Sequence, residues 1–113
     1  MPPLTRAEES RFTETSRHAD VLRFLAALDH PFLHRTSFGA SPEGRELPLL
    51  VLSTRGVRTP EEARRADLPV VLVLNGIHAG EVEGKEASLM LVRDLLGGKH
   101  AGLLDGLTLL IAP

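Results

Sequence analysis

Leu68-Pro69-Val70-Val71-Leu72-Val73-Leu74-Asn75-Gly76-Ile77-His78-Ala79-Gly80-Glu81-Val82-Glu83-Gly84-Lys85-Glu86-Ala87, running on to Leu96, decides the fold. Val70 to Leu74 is a short apolar run rich in β-branched residues, which reads as a strand buried on both faces. Asn75-Gly76 breaks the run as a turn does. From Glu81 the spacing becomes helical. Glu83, Glu86, Met90, Arg93 and Gly97 fall on one outward stripe, while Ala87, Ser88, Leu91, Val92 and Leu95 face the other way. His78 and Glu81 therefore stand where a buried strand's C-terminal end turns into a helix. In open α/β sheets that crevice is where chemistry is placed.

Working outward, residues 1 to 14 are polar, hold two prolines and read as a loose N-terminal arm, with the folded unit spanning 15 to 113. Thr15 or Ser16 is positioned to cap a helix from about Arg17 to Leu28, whose apolar face is Val21, Leu22, Phe24, Leu25 and Leu28. Asp29-His30-Pro31 stops it. Leu33 to Phe38 and Leu47 to Ser53 read as two strands of a hairpin, joined through the turn-rich stretch Gly39 to Arg45. Pro60 to Arg65 offers a short helical turn within a charged segment. Gly97-Gly98 ends the long helix, and Leu107 to Ala112 is a fourth strand, directly before Pro113. The strands at 69 to 75 and 107 to 112 should run parallel, because a whole helix connects them. The expectation is a three-layer α/β sandwich with a mixed sheet. Leu107 to Ala112, as the last strand, is expected to lie open on one edge and to invite self-association.

The 113 residues are 42% hydrophobic and 25% charged, with a formal net charge of −2. That balance suits one globular unit and gives no basic stripe for nucleic acid or an anionic membrane. No apolar run approaches the ~20 residues that cross a bilayer. The segment Met1 to Glu9 has no apolar signal core, so a cytoplasmic location is expected, with an exported full-length form left open. Cysteine is absent, which leaves His, Asp and Glu to bind any metal.

A catalytic zinc takes three protein ligands and keeps a position for water, and His2Glu is a known set. An imidazole and a carboxylate three residues apart face one ion if the backbone turns between them, and glycines at 76 and 80 permit a tight backbone and close approach. H-x-x-E alone also fits an exposed loop histidine beside a glutamate that favours the helix dipole. A phosphate loop is the rival reading of Gly76, Gly80 and Gly84-Lys85. Its spacing is one residue short, Glu86 stands where Ser or Thr would hold magnesium, and Glu81 and Glu83 would repel phosphate.

Asn75 to Ala87 resembles the first zinc motif of the M14 zinc carboxypeptidases. Ser41-Pro42-Glu43-Gly44-Arg45-Glu46-Leu47-Pro48-Leu49-Leu50 resembles that family's hairpin with its E-G-R turn. Thr59-Pro60-Glu61-Glu62-Ala63 before Leu68-Pro69-Val70-Val71, and Phe12-Thr13-Glu14-Thr15 before the first helix, are similar to one bacterial branch. The resemblance runs from residue 12 onward. It implies a phosphorylase/hydrolase-like fold, truncated to its N-terminal part, and a zinc-dependent hydrolase that removes a C-terminal residue from a peptide. His78 and Glu81 match the first two zinc ligands. The third ligand, the general-base glutamate and the arginines that hold the substrate carboxylate lie further along in the family and have no match here. The catalytic residue is therefore unassigned, and the resemblance places the general base downstream of Pro113. Gly80 occupies a position where many members carry a substrate-contacting arginine, and Arg45 matches the hairpin turn without a catalytic role.

No other histidine completes the site. Glu81 to Leu96 as a helix is about 24 Å long, and His100 emerges at its far end. His18, His30 and His34 read as solvated or capping residues. Two other readings remain: a zinc deacylase of the aspartoacylase and succinylglutamate-desuccinylase type, and a non-catalytic scaffold. The expected partner is a peptide or small amide substrate, with zinc in the complete protein and little zinc binding or catalysis by these 113 residues alone.

Overall fold

The computed structural model describes residues 1–100 and 102–113. Helix α1 spans Arg6–Glu9, α2 His18–Ala26, α3 Pro60–Ala66 and α4 Glu83–Leu96; strands are β1 Leu33–Ala40, β2 Glu46–Leu52, β3 Val70–Leu74 and β4 Thr108–Ala112. A 3-10 turn, Leu103–Gly106, leads into β4, and Pro113 follows that strand half-buried. The sheet order is β1-β2-β4-β3. The β1–β2 hairpin is antiparallel, β2 and β4 are antiparallel, and β3 and β4 are parallel in the register Val70↔Thr108 to Leu74↔Ala112. The mixed sheet, the hairpin and the parallel pair agree with the sequence reading. Among the described residues no helix is long and apolar enough to cross a membrane.

Alternation along the strands sets the layers. Leu50 and Leu52 of β2 pair with Ile111 and Leu109 of β4, and together with Val73 they face α2 and α4. Val21, Phe24 and Leu25 of α2 and Leu89, Val92 and Leu95 of α4 close this core. Each such side chain, fully buried, contributes about 1.5–3 kcal/mol of transfer free energy. On the second face α3 stands over Leu49, Val51, Val70 and Leu110, enclosing a cavity of about 620 Å³. No residue of α3 is buried, so this third layer is thin.

Five expectations are corrected. The open edge is β3, not β4, which lies between β2 and β3. Consequently Val70, Val71, Leu72 and Leu74 are 49%, 40%, 58% and 52% exposed, rather than buried on both faces. A continuous apolar strand announces cover on both faces, but its composition does not say which chain supplies it. The charged helix stripe is also shifted: Glu86 is buried and Leu89 is fully buried, while Ala87 is exposed. Thr15 and Ser16 do not cap α2, whose N-cap is Arg17. They are drawn to Glu86 instead, the Thr15 hydroxyl donating at 2.8 Å to Oε1, the Ser16 hydroxyl at 3.1 Å to Oε2 and the Ser16 N–H to Oε1. Lys85 Nζ donates to the Ser16 carbonyl, so the start of α4 is tied to the segment before α2. Finally, the arm is not loose throughout. Thr5 and Glu8 form a reciprocal capping box for α1, Ala7 is buried, and Glu8 meets Arg93 of α4 at 2.7 Å.

The Glu8–Arg93 contact makes a pH prediction. Burial acts to raise the Glu8 carboxyl, but the Arg93 guanidinium and the Thr5 cap outweigh it and hold it below its ordinary 4.5. Asp94 is lowered likewise, with burial outweighed by Arg93 and Lys99. A carboxylate depressed on folding contributes stability above its unfolded value, and that contribution is lost as pH falls through the folded value. Melting temperatures of the natural chain and Glu8→Gln should therefore differ most near neutrality and converge as pH drops below 4.5. A gap that stays constant down to about pH 2 would contradict the ion pair's part in stability.

The exposed edge makes another. Leu72→Lys places a charge on β3, as natural edge strands do. At 58% exposure the change should leave stability within about 0.5 kcal/mol, while light scattering should show any self-association through this edge weakened. Association unchanged by Leu72→Lys would put the sticky surface elsewhere.

Candidate metal centre

Backbone geometry at the end of β3 builds the site. The Asn75 N–H donates at 3.0 Å to the Ala112 carbonyl, extending the β3–β4 ladder by one rung. Gly76 then turns at φ +62°, in the left-handed region where a side chain is strained. The Glu81 N–H donates at 3.0 Å to the His78 carbonyl, closing a turn that carries both side chains to the same side. Helix α4 begins at Glu83, so Glu81 precedes the helix rather than opening it.

His78 Nδ1 lies 3.1 Å and 3.2 Å from the two Glu81 carboxylate oxygens. Both side chains face solvent, at 82% and 52% exposure. The two groups are in direct hydrogen-bonding contact, a little closer than the ~3.3–3.6 Å between two ligands of a tetrahedral ion with bonds of ~2.0–2.2 Å, so a small parting would admit one. An imidazole nitrogen and a carboxylate oxygen are also donors that zinc accepts. These two residues therefore fit as part of a zinc site. Among the described residues no group of three or more His, Cys, Asp or Glu is arranged to hold a metal. No third His, Asp or Glu therefore joins the pair within the described stretch up to Pro113, either as a further ligand or as the general base that the resemblance places downstream of Pro113.

The remaining histidines lie elsewhere. His18 Nε2 lies 2.8 Å from the Glu46 carbonyl. His30 Nδ1 accepts from the Phe32 N–H at 3.1 Å, and its ring meets Phe32 edge-on at 4.8 Å between centroids. His34 sits in β1 and His100 follows α4 at its far end. Gly80 departs from its expected use. It has an ordinary φ and open space where a Cβ would be, so no close approach requires glycine there.

Sequence reasoning missed the contacts behind the pair. Asn75 Nδ2 donates at 2.6 Å to the Ser88 hydroxyl on α4. A Cβ at Gly84 would lie 2.5 Å from Asn75 Oδ1. In sequence Asn75 reads only as a turn residue and Gly84 only as part of a glycine-rich stretch. The one available signal is that a small residue, Gly84, and a short hydroxyl, Ser88, share a helix face four positions apart.

Comparison with known proteins gives a family and a fold. The family model described as "Zinc carboxypeptidase" (peptidase M14) matches residues 19–113. No curated protein matches the chain. Among solved structures, carboxypeptidase A from Helicoverpa armigera superposes with a TM-score of 0.61 at 19% identity, over 96% of this chain. The chain spans 23% of that carboxypeptidase's length. That likeness is one of fold, and the family rests on the match across residues 19–113: the chain belongs to the zinc carboxypeptidase family, peptidase M14.

Proposed function

We propose that this chain supplies the first two zinc ligands, His78 and Glu81, of a metallocarboxypeptidase that hydrolyses a C-terminal peptide bond. The observation that carries the reading is the His78–Glu81 pair, joined at 3.1 Å on the turn between β3 and α4, within the stretch that the family model matches. When bound, zinc would polarise the scissile carbonyl and acidify water. Glu81 would offer it a carboxylate oxygen and His78 a ring nitrogen, each of which must be free of its proton to ligate. The family match favours a peptidase over the deacylase reading.

The 113 residues by themselves are expected to be silent. Two donors fall short of the three protein ligands that catalytic zinc uses. A two-ligand site gains little free energy to offset loss of the ion's water. The general base and the carboxylate-binding arginines implied by the resemblance have no counterpart in this stretch and are expected in sequence downstream of Pro113. The test compares this chain with the protein expressed from its whole coding frame, measuring zinc content and release of the last residue from free and C-terminally blocked peptides. The reading requires zinc and turnover of the free peptide in the longer protein. Stoichiometric zinc without hydrolysis of any peptide would favour a scaffold, and hydrolysis of small N-acyl amino acids instead of peptides would favour the deacylase.

A further inference from the structure

We propose that Asn75, Ser88 and Gly84 form a clamp that sets the separation of His78 and Glu81, which makes Asn75 a positioning residue for the metal pair. The proposal rests on the reading above and deepens it. Residues 76 to 81 are all exposed and Val82 is only half-buried, so no core packing shapes this loop. Within the loop, among the described residues, one backbone hydrogen bond, Glu81 to His78, and the contact of the two side chains themselves brace it. Its conformation is therefore inherited from its two ends.

Asn75 holds those ends together. Its backbone N–H is fixed to β4 at the Ala112 carbonyl, and its side-chain amide is fixed to α4 at Ser88, which is itself buried. The strand end thereby becomes one body with the second turn of the helix. Gly84 serves the same contact by absence. Its φ is ordinary, so glycine is not needed for the backbone, yet all three atoms that an added Cβ would meet belong to Asn75, at 2.5, 3.2 and 3.5 Å. With the Asn75 side chain in this position, only a glycine fits at 84. The start of α4 is pinned a second time, by Glu86 and Lys85 against Thr15 and Ser16. A ligand pair held at its roots by such contacts is preorganised, and less ordering is required when the ion arrives.

The contact predicts coupling between positions 75 and 84. Gly84→Ala should displace Asn75 and open the clamp. In an Asn75→Ala background the same change meets only the Cβ at 3.5 Å, an ordinary contact, and should be nearly silent. The experiment uses the protein expressed from the whole coding frame, its two single variants and the double variant, each checked for folding by circular dichroism. Amide relaxation and hydrogen exchange at Ile77 to Glu81 report loop order without metal. Titration with zinc ion, followed at the His78 imidazole by NMR, reports the pair. Either single variant should loosen the loop and weaken the His78 response about tenfold, the scale of lost outer-shell support, and the double variant should match Asn75→Ala. Ser88→Ala, a gentler cut of the same bond, serves if Asn75→Ala does not fold. Folded variants with unchanged loop order, or losses that add in the double variant, would overturn the clamp. A loop that loosens as expected around a His78 that never responds to zinc would keep the clamp and overturn the metal reading instead.

Discussion

His78→Ala and Glu81→Gln should each remove bound zinc and lower peptide hydrolysis by on the order of 10³-fold or more in the protein expressed from the whole coding frame. The fold should survive both changes, because the side chains are 82% and 52% exposed and support no core contact. Glu81→Gln is the sharper of the two. It preserves shape and removes only the charge, so a large loss from it points to ligation rather than packing. Metal analysis, melting temperature and rate, measured together, separate these effects. Unchanged activity in either variant would remove that residue from the site.

The second large effect lies in the core. Leu50 and Ile111 are both fully buried and pair across β2 and β4 at the sheet's centre. Leu50→Ala or Ile111→Ala should each cost about 2–5 kcal/mol, as transfer energy and residual cavity add. A domain of this size holds roughly 5–15 kcal/mol in all, and here much of β3 stays exposed. Either variant should therefore lower the melting temperature steeply or leave the chain unfolded at room temperature. The control is Leu72→Ala on the exposed edge, where the same kind of truncation should change little. Chemical denaturation showing equal losses for Leu50 and Leu72 would mean the core has been misplaced.

Local pattern carried much of this structure. The β1–β2 hairpin is written in two strand-like runs around Gly39 to Arg45, and the parallel β3–β4 pair follows from the helix between them. The turn between strand and helix that carries His78 and Glu81 was legible, and the structure sets the two side chains beside each other. What local pattern could not carry is which elements become neighbours. The apolar composition of β3 is that of an interior strand, yet its outer edge has no partner among the described residues. Glu86 looks like a solvent-facing helix residue until Thr15 and Ser16, some seventy positions earlier, fold back to supply its donors. The Asn75–Ser88 bond is invisible for the same reason: a polar pair thirteen residues apart gains its meaning only when strand and helix meet.

Anomalous diffraction at the zinc edge, on crystals of the protein from the whole coding frame, tests whether His78 and Glu81 are ligands to one zinc ion. One peak is expected within ~2.0–2.2 Å of both a His78 ring nitrogen and the Glu81 carboxylate. A zinc peak bound by other residues, with His78 and Glu81 ordered and paired only with each other, would contradict it.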